Sequence, residues 1–499
     1  MALLGPVLVL AAAFASHGIF HSSAVQAASH GAPIPGHYIV ILNPGVSVQD
    51  VEADQNVSAD QRYDTVLHGF SARLSDTQRD ALRRDRRVNN VVQDQTVQAQ
   101  PFRPAAPASP VLAAAETIPT GIDRIDAEGA PASTAHIAII DTGIDLTHPD
   151  LNVAPAAQRF SVFPGSTCND GNGHGTHVSG IAAAIAGNGI GVRGVAPGAV
   201  VHCVQVLDAS GSGSFDGVIS GINWVTANAV TYGILAANMS LGGCYTDSND
   251  ECVPPPGNAT CGMSGAIVVD PVHKAICDSV SAGVVHVVAA GNSAADAITQ
   301  IPAAYQEVIT VSAIADYNGK GPAAGAAPAS CFNYGPDDSF ASFTNFGAAV
   351  DIAAPGVCIY STYKNGGYAT LSGTSMAAPH VTGAVAAYLR THPTTVTLAT
   401  WPSVEAALIT ALSRPRTDPA CGTTSTNHGF NEPVLYVGQP LANCGGLVGT
   451  PTATPTPSPA TSTPTATLTR TSTPTAGPAT STPTRTPTPA PSGGDCNNC

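Results

Sequence analysis

Charge is scarce in this 499-residue chain. Lys, Arg, Asp and Glu together reach only 11%, and positive charge is scarcer still, with 19 Lys plus Arg against 34 acids. A net charge of −15 argues against nucleic acid as a partner, because such proteins present a basic face to phosphate. Residues 1–100 hold seven Arg and nine acids, a net of −2, so the remaining −13 belongs to the body of the chain, where it favours solubility. Beyond the N-terminus no run is long and apolar enough to span a bilayer, so no membrane span is expected. The twelve cysteines lack any zinc-like double pair.

What is present is a tightly packing composition, 43% hydrophobic and rich in Gly and Ala. Met1 to Ala15 is apolar and short, and small residues follow it. Residues 1–27 therefore read as a signal peptide, and a secreted or cell-surface location is expected. The cysteine count fits an oxidising compartment. Cys244, Cys252, Cys261 and Cys277 cluster around an apparent insertion, Gly243 to Gly265, but spacing does not give the pairing. Residues 450–492 are Thr, Pro, Ser and Ala, which cannot bury a core and read as a disordered, extended linker ahead of a short Cys-containing end, 493–499.

Three segments carry chemistry. Gly373-Thr374-Ser375-Met376-Ala377-Ala378-Pro379-His380 opens an apolar helical run. A serine at that position sits where unpaired N–H groups and the helix dipole favour a developing oxyanion, although Ser is also a common helix cap. The apolar run Ile137–Ile140 ends in Asp141-Thr142-Gly143, a carboxylate at the carboxyl end of a buried strand. Gly173-His174-Gly175-Thr176-His177 opens a small-residue run read as a buried helix. The chain order is acid, histidine, serine. His177 and His380 are read as packing residues rather than catalytic ones.

Together with Ala289-Ala290-Gly291-Asn292 and Ser240-Leu241-Gly242, these blocks resemble the subtilase family of serine endopeptidases, over roughly Ile118 to Tyr436. The resemblance implies an α/β fold, a mostly parallel sheet with helices on both faces. Alternation of strand-like stretches (Ala199–Leu207, Leu235–Ser240, Val284–Ala289, Val308–Ala313) with helix-like ones (Ser214–Asn228, Pro271–Ala282) independently argues the same class. It also implies roles: Ser375 as nucleophile, His174 as general base, Asp141 as its orienting partner, and Asn292 with the Ser375 N–H as oxyanion hole. Ser240, Leu241, Gly242, Ala290 and Gly291 would wall the substrate pocket. Neither wall carries an acid, so apolar or aromatic side chains are expected before the scissile bond.

Structural Ca²⁺ is the cofactor the resemblance implies. Asp150, the side chain of Asn188 and the carbonyls of Ile190 and Val192 would supply hard oxygen ligands, with Asp351 as a second candidate near the carbonyls of Gln306 and Val308.

Ahead of the catalytic region, 117–445, strand-like His37–Leu42, Gly69–Leu74 and Val88–Gln93 flank the capping box Ser75-Asp76-Thr77-Gln78. This small α+β unit, 37–98, resembles the inhibitory propeptide of many subtilases, though the stretch between Asn43 and Arg62 is short for the family's first helix. Residues 99–116, rich in Pro and Ala, read as a linker. Self-cleavage is expected after Gln98 or Ala99, with the Pro/Ala-rich stretch 101–116 as the fallback. The expected partners are polypeptide substrates and the chain's own propeptide, on a monomer. Two rival classes remain: an inactive subtilase-fold binding or surface protein, and a sedolisin-like acid peptidase that replaces His by carboxylates.

Overall fold

The computed structural model describes residues 31–99, 103–104, 115–245, 252–255, 261, 270–321, 325–328, 330–418, 422–423 and 431–438. The expected signal segment, the whole Thr/Pro-rich region and the terminal cysteines lie outside them.

The N-terminal unit is an antiparallel sheet carrying two helices: β1 (Pro33–Leu42), α1 (Val48–Gln55), β2 (Gln61–Tyr63), β3 (Gly69–Arg73), α2 (Asp76–Arg84) and β4 (Val88–Ala99). β1 lies between β3 and β4, with β2 at the far edge. Its alternating pattern buries Tyr38, Val40, Phe70, Leu82 and Val91 in a small core of its own. The capping box forms as the sequence predicts, with Ser75 and Gln78 satisfying each other's backbone donors. The short stretch after Asn43 does hold a helix. Ser47 caps α1 by accepting from Asp50 N, and Asn56 closes it in the left-handed region at φ 50°, so two turns suffice.

The larger unit is built on a sheet whose central strands are all parallel, in the order Ile352–Pro355, Val308–Ala315, Val285–Ala289, Ile234–Met239, His136–Asp141, Val200–Gln205, Phe160–Ser161. These strands are near-continuous runs of Val, Ile and Ala because both faces are covered. Helices His174–Ala183 and Thr374–Thr391 pack together on one side, and Phe215–Tyr232 and Pro271–Ser281 pack together as a second pair. From His136–Asp141 the chain moves outward to the edge strand Phe160–Ser161, fills Val200–Gln205 between them, then returns to build Ile234–Met239 on the other side. The strand order therefore reverses between these two neighbours, and open α/β sheets place their ligands outside the carboxyl ends at such a point.

Four disulfides form among the described residues: Cys168–Cys203, Cys244–Cys252, Cys261–Cys277 and Cys331–Cys358. The four cysteines in and just after the insertion thus pair with one another, and the scattered four close loops around the sheet.

Within 99–116, the stretch expected as a linker, the described residues Ala99 and Arg103–Pro104 lie in strands. β4 runs on to Ala99, and Arg103–Pro104 pairs antiparallel with Ser372 and Leu371 of strand Gly367–Ser372. β4 is sandwiched: Thr96, Val97 and Gln98 pair with Ser214, Gly213 and Ser212 on one side, while Gln98 and Ala99 pair with Gly242 and Leu241 on the other. Pro/Ala-rich composition does not reveal this, because the holding bonds are main-chain to main-chain.

Candidate active site

Asp141 ends its strand and His174 begins its helix, and the two meet. The imidazole Nδ1 lies 2.8 Å from Asp141 Oδ1 and 3.0 Å from Oδ2, with both side chains buried. Thr142 N donates to Asp141 Oδ1 at 2.7 Å, which fixes the carboxylate against rotation. This close approach needs glycine at 175. A Cβ there would sit 2.2 Å from the Gly143 carbonyl oxygen and 3.1 Å from Asp141 Oδ1. Asp170 anchors the helix start. Its carboxylate accepts from Thr142 Oγ1, Gly173 N, Thr176 N and Thr176 Oγ1, at 2.6–3.0 Å.

Ser375 lies in the first turn of helix Thr374–Thr391 and is buried. Its hydroxyl donates to the Ser240 carbonyl at 3.2 Å, and the Ser240 hydroxyl donates to the Ser375 carbonyl at 2.9 Å. This reciprocal pair ties the nucleophile candidate to the expected substrate wall. On the other side, Asn292 Oδ1 accepts from Thr374 N at 2.8 Å and from Thr374 Oγ1 at 2.9 Å. Both bonds hold the amide by its oxygen. Gly291 takes φ 109°, and a Cβ on it would meet Asn345 Nδ2 at 2.3 Å. Asn345 in turn donates to Ala290 O and accepts from Ser293 N and Ala295 N, so it shapes the whole loop.

The two histidines read as packing residues are placed as such. His177 Nε2 bonds the carbonyls of Ile359 and Ala369, and burial lowers its pKa to about 3. His380 Nδ1 bonds Met376 O, and burial lowers it to about 4. Neither titrates in the physiological range.

Sequence reading missed Asp170, Asn345 and Glu116. Asp170 carried a faint signal in Asn169-Asp170-Gly171-Asn172-Gly173, a stretch of turn-forming residues. Asn345 and Glu116 act across 50 or more residues, and nothing local marks them.

Asp150 and Asn188 meet in one cluster, with the Asn188 amide turned NH₂-first toward the acid. Asn188 Nδ2 donates to Asp150 Oδ1 at 2.6 Å, Val192 N to Oδ2 at 2.9 Å, and the Tyr368 hydroxyl to Oδ2 at 3.2 Å. Burial pushes the Asp150 carboxyl up to about 6 against these donors, and the nearby Glu116 charge adds to the rise. Glu116 also accepts from Gly187 N in the same loop. A buried carboxylate, a second acid and an amide side chain in one loop fit a hard dication. Asn188 Oδ1 accepts from Ile190 N here, so a ligand role for Asn188 requires the amide to turn. At Asp351 the arrangement is different. Its carboxyl accepts from Thr310 N and lies against Glu405, and burial raises both acids. The Gln306 carbonyl is taken by the Trp401 indole N–H at 2.8 Å.

Comparison with known proteins gives two family matches, the subtilase family over residues 132–433 and the peptidase inhibitor I9 family over residues 12–100. Subtilisin DY of Bacillus licheniformis is 37% identical over 56% of this chain and 87% of its own length. An alkaline protease of Alkalihalobacillus alcalophilus is 36% identical over 69% of this chain and 78% of its own. An extracellular serine proteinase of Thermus sp. (strain Rt41A) is 33% identical over 72% and 82%. The last two alignments are too long to be confined to the span of the subtilase match. With its parallel sheet, its strand-end acid and its helix-start histidine and serine, this chain belongs to the subtilase family of serine peptidases.

Proposed function

We propose that the chain is the precursor of a secreted serine endopeptidase in which Asp141, His174 and Ser375 carry the reaction. The observation that carries this reading is the buried 2.8 Å contact between His174 Nδ1 and Asp141, beside a serine at a helix N-terminus. With Nδ1–H committed to the carboxylate, Nε2 is left as the base. It takes the Ser375 proton as Oγ attacks the scissile carbonyl, then gives that proton to the leaving amine. Asp141 holds the tautomer and stabilises the imidazolium. The carbonyl oxygen, now negative, is met by the Asn292 amide and the Ser375 N–H at the helix start. Water then repeats the sequence on the acyl-enzyme. Before any of this, Ser375 Oγ must leave the Ser240 carbonyl that it faces here.

Both rival classes fit less well. A sedolisin-like site has no use for an imidazole clamped by Asp141, and a degenerate binding protein has no reason to keep Asp141, His174, Ser375 and Asn292 together. The paired cysteines and the extracellular relative support secretion. The cut that frees the mature enzyme falls after Gln98 or Ala99, where β4 lies between two strand edges of the catalytic unit. Labelling the secreted protein with a fluorophosphonate and mapping the modified peptide tests the site. The adduct is expected on Ser375, and an adduct elsewhere, or none on processed enzyme, would overturn the assignment.

Calcium is proposed as a structural ion held by Asp150, Asn188 and the carbonyls of Ile190 and Val192, with Glu116 added to that set. It supplies charge that the loop lacks. Asp150 gives the sign of the pH effect. Its folded pKa is raised, so without metal its stability contribution is full below the ordinary value near 4 and lost as pH rises through about 6. In EDTA the melting temperature should fall across that window. Saturating Ca²⁺, at a hundredfold over Kd, should add about 2.7 kcal/mol and reverse the fall. Superimposable melting curves with Ca²⁺ and with EDTA would count against the site.

A further inference from the structure

A second cluster lies where the propeptide meets the catalytic unit, away from the triad. His37 of β1 and Asp216 are 7% and 6% exposed, and Asp94 is fully buried. Nδ1 of His37 lies 2.9 Å from Asp94 Oδ2. Nε2 lies 3.1 Å from Asp60 Oδ2 and 3.9 Å from Asp216 Oδ2. Three of these residues come from the propeptide, whereas Asp216 sits in the first turn of helix Phe215–Tyr232. Asp94 Oδ1 also accepts from Asp216 N at 3.1 Å, and the Ser71 hydroxyl donates to Asp216 Oδ2 at 2.8 Å. Among the described residues, no lysine or arginine forms an ion pair with any of the three acids.

That arrangement is short of positive charge. A neutral imidazole has one N–H and can satisfy Asp94 or Asp60, not both. The nitrogen left bare would point its lone pair at a carboxylate. The Asp216 oxygen is too distant from Nε2 for a hydrogen bond. Two ligands on one tetrahedral zinc, with bonds of about 2.0–2.2 Å, lie roughly 3.3 Å apart. The observed 3.1 and 3.9 Å bracket that spacing. Asp94 on Nδ1 supplies the carboxylate partner that orients metal-bound histidines and raises their basicity. The Asp60 side chain is 50% exposed, which gives an ion a way in from solvent.

We propose that His37 Nε2, Asp60 and Asp216, backed by Asp94, form a binding site for a divalent transition metal of the zinc class that clamps the propeptide to the catalytic unit. Bound metal joins ligands from both units, so it opposes propeptide release and delays the appearance of free enzyme. This rests on the precursor reading above, but metal binding itself does not require a working triad.

The test uses the full chain carrying Ser375→Ala, which keeps both units present, in saturating Ca²⁺ so that calcium loops are filled. Calorimetric titration with Zn²⁺ should show one equivalent bound. Asp60→Asn, at the half-exposed ligand, and Asp94→Asn, which keeps the oxygen that accepts from Asp216 N, should each weaken binding about 10- to 100-fold with unchanged melting in the absence of zinc. In the wild-type background, Zn²⁺ should lengthen the maturation time and Asp60→Asn should abolish that delay. No zinc uptake by the precursor would overturn the proposal. So would uptake that Asp60→Asn and Asp94→Asn leave unchanged, which would place the metal elsewhere. A proton alone bridging His37 gives the first of these results.

Discussion

Ser375→Ala is expected to leave the secreted protein as a full-length, folded precursor with no measurable peptidase activity. Two separate losses are combined in that outcome. Turnover should drop by about 10⁶, the size known for removing the nucleophile of a subtilisin, a member of the same family. The cut near Ala99 should fail for the same reason, because the strand to be cut already lies along Leu241 and Gly242. The fold should hold, since the side chain removed is small, its hydroxyl bonds the Ser240 carbonyl, and the return bond from Ser240 to the Ser375 carbonyl is kept. Gel mobility and N-terminal sequencing of the purified variant read the result. A variant that matures normally without any helper protease would show that another enzyme makes the cut.

Replacement of Asp141 by Asn should cost about 10⁴ in kcat at neutral pH with little change in KM. An amide can occupy the same space and can still accept from Thr142 N. What it cannot do is hold Nδ1–H while leaving Nε2 bare, because its NH₂ group favours the opposite tautomer, and it offers no charge to the imidazolium. Steady-state kinetics on processed enzyme, obtained with a helper protease, isolate the effect. A loss under tenfold would remove Asp141 from the mechanism.

The elements that the sequence made legible are those whose signals are local. Strand His136–Asp141 is a continuous apolar run, Ser75 and Gln78 sit at capping-box spacing, and the small residues after His174 can only belong to a packed helix. The candidates Asp141, His174 and Ser375 were legible because each lies at an element end within two residues of a glycine. Asp170 and Asn345 stayed hidden because their bonds join loops far apart in sequence, and a lone Asp or Asn in a loop is consistent with many turns. Disulfide pairing was hidden because spacing does not fix distance. The helix α1 was discounted on length, yet a Ser cap and a left-handed Asn make two turns stable when one face packs on a sheet. The path of β4 was the largest omission. Its partners are strand edges in another unit, and edge bonding leaves no mark on side-chain patterns.

Those two edges have a consequence for what the mature enzyme can digest. Once the propeptide leaves, Ser212–Ser214 and Leu241–Cys244 flank an empty lane one strand wide. Anything that fills it must be extended, unpaired on both sides, and long enough to lie across several residues. A helix or an interior sheet strand of a folded protein meets none of those conditions until it opens. The rate at which a native protein is destroyed would then follow how often it breathes locally, more than which side chains flank the bond. Two substrates with the same amino acids at the cut but different local stability should differ in lifetime accordingly.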